Sequence, residues 1–285
     1  MGAVQQVRTR VGPVPVRVVG EGPTVLAVHG LLMDGRLWDG MAERLDGRVR
    51  LVLPDLPLGA HRRPVPDRTG LTPPAVAEAL GDVLDGLGLD RAVLVGNDTG
   101  GALVQLAAAA RPERVDGLVL AGCDAFEHFP PPLLRPLVTL ARVPGGPRAL
   151  LRAFAVPAVL AEAGPFNIFT TRGFGRPLVA DLLGPARTDR GVRDDLTVLL
   201  RAMRPEALLP ASAGLGAYAG RAAVVWGRRD RVFPARDAVR LADLLGTDVV
   251  WVDDAATFVP HDRPDVVADA VLTVAAPRRE AGSPR

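Results

Sequence analysis

Short apolar runs alternate with amphipathic segments along most of the chain, and this alternation predicts a parallel β-sheet built from βαβ units. Continuous apolar runs predict buried strands at residues 24–28, 49–53, 92–95, 116–121, 222–226 and 248–252. Ahead of them, residues 4–11 and 14–19 alternate apolar and polar positions across Gly12-Pro13, which predicts an antiparallel pair. Helices are predicted between the strands, at residues 37–45, 73–87, 102–110, 235–245 and 264–274.

The alternation stops between residue 123 and about residue 210. This segment is rich in proline, arginine and leucine, and it shows helical patches at residues 133–142, 148–163 and 191–203. The predicted class is therefore α/β, with a mostly parallel central sheet flanked by helices and a helical cap inserted after the sixth strand. The predicted division is a core at 1–122 and 211–276, a cap at 123–210 and a flexible tail at 277–285.

Composition narrows the classes of function. The 285 residues are 48% hydrophobic with a net charge of +2, and every basic residue is arginine. Because no basic run carries interleaved aromatic residues, we expect no nucleic-acid partner. One cysteine, Cys123, excludes an intrachain disulfide, and the chain has no long uninterrupted apolar run and no signal-peptide pattern at its N-terminus. We expect a cytoplasmic protein without a membrane partner, either a monomer or a homodimer.

The segment around Asp98 carries the candidate chemistry. A buried strand ends in Gly96-Asn97-Asp98-Thr99-Gly100-Gly101, and a run of helix-forming residues follows. Strand, glycine-bounded turn and helix form the context of a nucleophile elbow, with Asp98 at the position of the usual serine. The alternative is an ordinary βα turn in which Asp98 or Thr99 caps the helix.

Other polar residues follow the predicted strands, where the reactive groups of parallel sheets collect. The motifs at these positions are His29-Gly30, Asp55-Leu56-Pro57, the elbow at 96–101, residues 111–115 before a strand, Trp226-Gly227 with Asp230, and Asp262-Arg263-Pro264. In their order and spacing, they resemble the α/β-hydrolase fold superfamily across residues 24 to about 275. An aspartate at the nucleophile position resembles the haloalkane dehalogenase and epoxide hydrolase branch.

The resemblance implies a role for each matching residue. Asp98 would attack an sp3 carbon to give an ester, and a histidine held by an acid would activate water to cleave that ester. The backbone N–H groups of Leu31 and Thr99 would form the oxyanion hole. Asp230 would be the orienting acid, with a plain turn as its alternative role. Asp124 is the alternative acid position, although a turn leading into the cap also explains it.

The sequence departs from this pattern at the base. The histidine position falls on Thr257, which cannot act as a base near pH 7. His261, four residues later, is the nearest substitute, provided that the loop at 258–260 folds differently; otherwise it is an exposed loop histidine. The tryptophan or arginine that subfamilies place after the nucleophile is Thr99 here, and Tyr218, the one tyrosine, falls outside the cap.

An apolar lid favours a small hydrophobic substrate. Six of the eight phenylalanines fall in the insertion, at Phe126, Phe129, Phe154, Phe166, Phe169 and Phe174.

The first hypothesis is a hydrolase acting through an Asp98 ester, with Thr257 at the histidine position. The alternatives are a non-hydrolytic lyase, isomerase or cyclase of natural-product metabolism, or a degenerate homologue that only binds a ligand. No metal constellation or phosphate loop is visible, so no cofactor is expected.

Overall fold

An eight-stranded sheet forms the centre of the computed structural model, which describes residues 3–153 and 166–276. The strands lie in the order β1-β2-β4-β3-β5-β6-β7-β8. Strand β2 pairs antiparallel with β1 and β4, and all other neighbours are parallel. Their bounds are β1 (Ala3–Thr9), β2 (Gly12–Val19), β3 (Thr24–Val28), β4 (Arg50–Pro54), β5 (Ala92–Asp98), β6 (Val115–Cys123), β7 (Arg221–Gly227) and β8 (Val249–Val252). The mostly parallel sheet and its antiparallel edge pair are confirmed.

Eleven α-helices flank this sheet within the described residues. They are α1 (Asp39–Leu45), α2 (Pro73–Gly86), α3 (Thr99–Ala110), α4 (Arg135–Ala141), α5 (Gly146–Ala153), α6 (Arg176–Thr188), α7 (Arg190–Ala202), α8 (Pro205–Gly214), α9 (Ala235–Leu245), α10 (Val259–Asp262) and α11 (Pro264–Ala275). The sequence did not indicate α6, α8 or α10. Helices α6 and α8 contain Pro185 and Pro210, and an interior proline is ordinarily a sign that a helix ends.

The strands that carry the site are buried along their length. Every residue of β5 is buried, as are all but the first residue of β3. Helix α3 packs on β5 and β6, and α11 packs on β6 and β7. Such doubly covered strands have continuous apolar sequences because both faces bury side chains, which is the pattern that predicted them.

The cap lies between β6 and β7, so its predicted place after the sixth strand is confirmed. Helix α4 packs on α5 and α7, and α6 packs on α5 and α7. The predicted helix over 148–163 is observed as far as Ala153, while residues 154–163 and the predicted tail at 277–285 lie outside the described residues. Within the described residues, every helix is too short or too polar to cross a bilayer.

A buried carboxylate on α7 fastens the cap to the core. Asp195 is fully buried and accepts hydrogen bonds from the Val65 N–H at 2.7 Å and from Arg68 Nε at 2.7 Å. His61 Nε2 lies 3.3 Å from the same carboxylate. Burial alone would raise the pKa of Asp195, but the hydrogen bonds from His61, Arg68 and Val65 outweigh it, and the pKa falls below its ordinary value. The loop after β4 is thereby tied to the cap.

Candidate active site

Asp98 lies at the junction of β5 and α3 in a left-handed backbone conformation. Its φ is 54° and its ψ is −132°, values that a side-chain-bearing residue adopts only when its surroundings impose them. A Cβ added at Gly30 would lie 2.5 Å from the Asp98 Cβ, so the neighbouring strand end must be glycine to let the elbow approach. The Asp98 side chain makes no capping hydrogen bond to α3. The elbow, rather than a capped βα turn, therefore describes this segment.

The Asp98 carboxylate is buried among few polar partners. Its Oδ2 accepts a hydrogen bond from the Leu31 N–H at 3.0 Å, and among the described residues Oδ1 has no partner. Burial raises the pKa of Asp98 to about 7; the backbone N–H groups of Thr99 and Leu31 lower it, and the charge of Asp230 raises it further. The N–H groups of Leu31 and Thr99, the predicted oxyanion donors, therefore both act on this carboxylate, and their role in catalysis stays a prediction.

Asp230 lies in the loop after β7 and faces Thr257. Its Oδ1 accepts hydrogen bonds from the Thr257 hydroxyl at 2.7 Å, the Val232 N–H at 2.8 Å and the Phe233 N–H at 3.0 Å. Its Oδ2 is buried without a partner in the described part of the chain. Burial raises the pKa of Asp230 to about 6 although these hydrogen bonds lower it. Thr257, the residue that the sequence pattern aligns with a histidine, therefore hydrogen-bonds the candidate acid.

The loop that carries Thr257 is fixed from both sides. Asn97, next to the nucleophile position, donates from Nδ2 to the Thr257 carbonyl at 2.7 Å and to the Ala121 carbonyl at 2.6 Å. Asp262 accepts from the Ala256 N–H at 2.9 Å and from the Thr171 N–H at 3.0 Å. Sequence reasoning missed both anchors; the Asn97 hydrogen bond leaves no local pattern, because its partner lies 160 residues away.

His261 lies on α10 and faces the cap. Its Nε2 donates to the Gly173 carbonyl at 3.0 Å, and its ring stacks on Phe174 with centroids 4.1 Å apart. Among the described residues, no hydrogen bond joins His261 to Asp98 or Asp230. The loop does not fold in the way that would bring this imidazole to the acid, so its predicted catalytic role gains no support from the geometry.

Asp124, the alternative acid, contacts the elbow from the end of β6. Its Oδ2 accepts from the Thr99 hydroxyl at 3.2 Å, and Oδ1 has no partner within the described residues. Burial, followed by the charge of Asp98, raises the pKa of Asp124 well above its ordinary value. Asp124 therefore hydrogen-bonds the side chain of Thr99, whereas Asp230 hydrogen-bonds the side chain of Thr257.

His29 and His128 make hydrogen bonds in other buried parts of the structure. His29 is fully buried, accepts from the Leu56 N–H at 3.0 Å through Nε2 and donates through Nδ1 to the Gly30 carbonyl at 2.9 Å. His128 Nδ1 lies 2.6 Å from Asp237 Oδ2 in a second buried pair that the sequence did not indicate. Within residues 3–153 and 166–276, no group of three histidine, cysteine, aspartate or glutamate side chains is arranged to hold a metal.

An apolar cavity of about 280 Å³ opens above Asp98. Core and cap residues line it together, among them Leu31, Phe166, Phe169, Leu196, Leu200 and Phe258. Asp98 is the one ionisable residue among the described lining residues. Of the other phenylalanines of the insertion, Phe126 and Phe129 are buried, Phe174 packs on Phe258 and His261, and Phe154 lies outside the described residues.

Comparison with known proteins identifies the family. Residues 23–164 match the family model described as alpha/beta hydrolase fold. The chain has the α/β-hydrolase fold. This confirms the superfamily predicted from the sequence and supports an enzyme of hydrolase type whose specific activity is open.

Known proteins resemble this chain over most of its length. An uncharacterized protein of Mycobacterium tuberculosis is 28% identical over 90% of this chain and 76% of its own length. Haloalkane dehalogenase 2 of the same organism is 27% identical over 89% of this chain and 88% of its own length. The crystal structure of haloalkane dehalogenase DbeA from Bradyrhizobium elkani superposes with a TM-score of 0.78 at 20% identity, covering 95% of this chain and 98% of that chain.

Proposed function

We propose that the protein is a hydrolase of a hydrophobic small molecule in which the Asp98 carboxylate is the nucleophile. The observation that carries the proposal is the position of Asp98, which lies buried on an elbow at the base of an apolar cavity. Its Oδ2 is held by the Leu31 N–H while Oδ1 remains unpartnered in the described residues. The similarity to haloalkane dehalogenase 2 supports a substrate with a leaving group on an sp3 carbon.

In the first step, Asp98 Oδ1 attacks the substrate carbon. The new C–Oδ1 bond forms as the bond from carbon to the leaving group breaks, and the leaving group departs with the electron pair. The product is an alkyl ester of Asp98. The other described lining residues of the cavity are apolar. The attacking oxygen is therefore poorly solvated, which makes it reactive.

In the second step, water attacks the Asp98 Cγ. The resulting oxyanion on Oδ2 is stabilised by the N–H groups of Leu31 and Thr99. The water proton passes to the Thr257 hydroxyl as that hydroxyl gives its own proton to Asp230, to which it already donates. With a pKa raised to about 6, Asp230 is mostly ionised above pH 7 and is a stronger base than an ordinary aspartate. Collapse re-forms the Asp98 carbonyl and breaks the Cγ–Oδ1 bond; the leaving alkoxide takes the proton back from Asp230 through the Thr257 hydroxyl and departs as the alcohol.

Intact mass spectrometry after incubation with 1-bromohexane tests the nucleophile. A hexyl adduct should form, and peptide mapping should place it on Asp98. Asp98→Asn should form no adduct, while Asp124→Asn, a neighbouring buried carboxylate, should keep it. Full turnover in an Asp98→Asn protein whose asparagine has not deamidated would rule out the proposal.

A second candidate is a non-hydrolytic lyase, isomerase or cyclase. It is favoured by the raised pKa of Asp98, about 7, because a carboxyl half protonated at neutral pH serves equally as a general acid. Turnover in ¹⁸O-labelled water separates the two. Hydrolysis places label first in Asp98 and then, over several turnovers, in the product, whereas a non-hydrolytic reaction leaves both unlabelled.

A further inference from the structure

A concave cleft of about 500 Å³ lies on the solvent-exposed side of the cap. Helices α5 and α7 form its walls, together with the core loop that follows β4. Asp194 is the one acidic residue among its described lining residues. The basic residues that line it are Arg68, Arg148, Arg190, Arg193 and Arg201.

The positive charge of this cleft is incompletely neutralised. Arg190 lies 3.6 Å from Asp194, and Arg68 pairs with the buried Asp195. The other three arginines of the cleft have no carboxylate partner in the described part of the chain. Since like charges gathered in one concavity repel each other, a bound anion would relieve that repulsion, and the cleft attracts anions.

Several of these guanidinium groups are held in place by the backbone. Arg193 donates through Nη1 to the Ala186 carbonyl at 3.0 Å, and Arg201 donates through Nε to the Ala141 carbonyl at 2.7 Å. Arg68 is held through Nε on Asp195. Each group keeps further N–H donors that make no hydrogen bond to the described residues. A set of oriented guanidinium donors matches the oxygens of a phosphate, and little side-chain entropy is lost on binding.

The cleft adjoins the cavity above Asp98. Pro147 lines both of them. Helix α7 presents Leu196 and Leu200 to the apolar cavity and Arg193 and Arg201 to the cleft. Because α7 borders both the cleft and the cavity, one ligand can place a charged end in the cleft and an apolar chain in the cavity.

We propose that the arginine cleft binds the phosphate group of an amphiphilic ligand whose apolar chain enters the cavity above Asp98. The assignment of the apolar chain to that cavity rests on the proposed function. The phosphate site does not depend on it, because it is built from residues that take no part in the Asp98 chemistry.

Isothermal titration calorimetry with octyl phosphate, 1-octanol and inorganic phosphate tests the proposal. The protein should bind octyl phosphate at least about tenfold more tightly than 1-octanol or inorganic phosphate. Arg148→Gln combined with Arg190→Gln should reduce octyl phosphate binding to the level of 1-octanol. Arg204→Gln, an exposed cap arginine outside the cleft, is the matched control and should change nothing. Raising NaCl from about 50 to about 500 mM should weaken binding of octyl phosphate but not of 1-octanol.

Three results would overturn the proposal. The first is an equal affinity for octyl phosphate and 1-octanol, or octyl phosphate binding that persists in the double variant. The second is binding of inorganic phosphate as tight as that of octyl phosphate, which indicates a site for free phosphate. The third is arginine-dependent binding to phosphatidylcholine vesicles containing phosphatidylglycerol without arginine-dependent binding of octyl phosphate, which indicates a membrane-binding surface. Calorimetry measures octyl phosphate binding without turnover, and the Asp98 adduct is measured with 1-bromohexane, which carries no phosphate, so failure of the hydrolase proposal is separable from failure of this one.

Discussion

The Thr257 hydroxyl donates a 2.7 Å hydrogen bond to Asp230, and Thr257 is the residue that the sequence pattern aligns with a histidine. A hydroxyl cannot hold a proton as an imidazolium does, so it can only pass one on to the carboxylate. In the proposed site, no strong base among the described residues lies between the nucleophile Asp98 and the acid Asp230. Under the proposed function, the ester should form readily and hydrolyse slowly.

Introducing the imidazole should accelerate the slow step. In Thr257→His, the new side chain starts from a loop already fixed by Asn97 and Asp262 and has Asp230 as its partner. General base catalysis is worth on the order of 10²-fold or more, so the Asp98 ester should disappear correspondingly faster. The lifetime of the hexyl adduct, followed by intact mass after excess reagent is removed, measures this rate.

Thr257→Val is the control, because it keeps the size of the side chain and removes the hydroxyl that bonds to Asp230. Its adduct should form as in the parent protein and persist longer. An unchanged adduct lifetime in a folded Thr257→His protein would contradict the placement of Thr257 at the base position.

Ester formation should depend on pH through the pKa of Asp98. Only the carboxylate attacks, and burial raises that pKa to about 7. The rate of adduct formation should rise with pH, reach half of its maximum near pH 7 and level off above about pH 8. Single-turnover rates with 1-bromohexane between about pH 5 and pH 9 measure the profile. A rate independent of pH over this range would mean that Asp98 is already ionised at pH 5.

The buried Asp98 carboxylate should also lower the stability of the fold at neutral pH. Its folded-state pKa of about 7 exceeds the ordinary 3.8, so the folded protein binds the proton more tightly and loses stability as pH rises between these two values. Asp98→Asn, which has no charge to bury, should be more stable by about 2–4 kcal/mol at pH 8. Urea unfolding at about pH 4 and pH 8 checks the sign, since the gain should vanish at the lower pH.

The contribution of Asp195 to folding stability should change with pH in the opposite direction. Its pKa is depressed by hydrogen bonds from His61, Arg68 and Val65, so its contribution is fully present above its unfolded-state pKa and is lost as pH falls through the lower folded-state value. Asp195→Asn removes the charge of a buried carboxylate that pairs with the half-exposed Arg68, and it should destabilise the protein by about 2–4 kcal/mol at neutral pH. Urea unfolding of this variant beside Asp98→Asn compares the same chemical change at two buried carboxylates, and a shared sign of the two stability changes would contradict one of the two assignments.

The sequence predicts most of the core because its strands are continuous apolar runs and its chemistry follows them at fixed positions. The positions of Asp98, Asp230 and Thr257 relative to the predicted strands are enough to predict that they lie at one site. The cap was harder, because prolines such as Pro185 and Pro210 lie inside its helices. His261 shows a second limit: its neighbours along the chain are at the site, but a single turn at α10 directs its ring to the Gly173 carbonyl. Long-range anchors such as Asn97 leave no local pattern at all.

Gly30 lies so close to Asp98 that a side chain at this position would change the geometry of the oxyanion site. A Cβ at position 30 would overlap the Asp98 side chain, including the Oδ2 that the Leu31 N–H holds, so Gly30→Ala must displace one or the other. Adduct formation should fall by at least about 10²-fold, because misplacing a nucleophile or an oxyanion donor costs that much. Gly81→Ala in α2, where the added methyl group meets open space, is the matched control and should be neutral or stabilising by up to about 1 kcal/mol. Rates of hexyl adduct formation together with urea unfolding of both variants separate the two effects. A Gly30→Ala protein that reacts at the parent rate would show that Asp98 does not need the position it holds beneath the cavity.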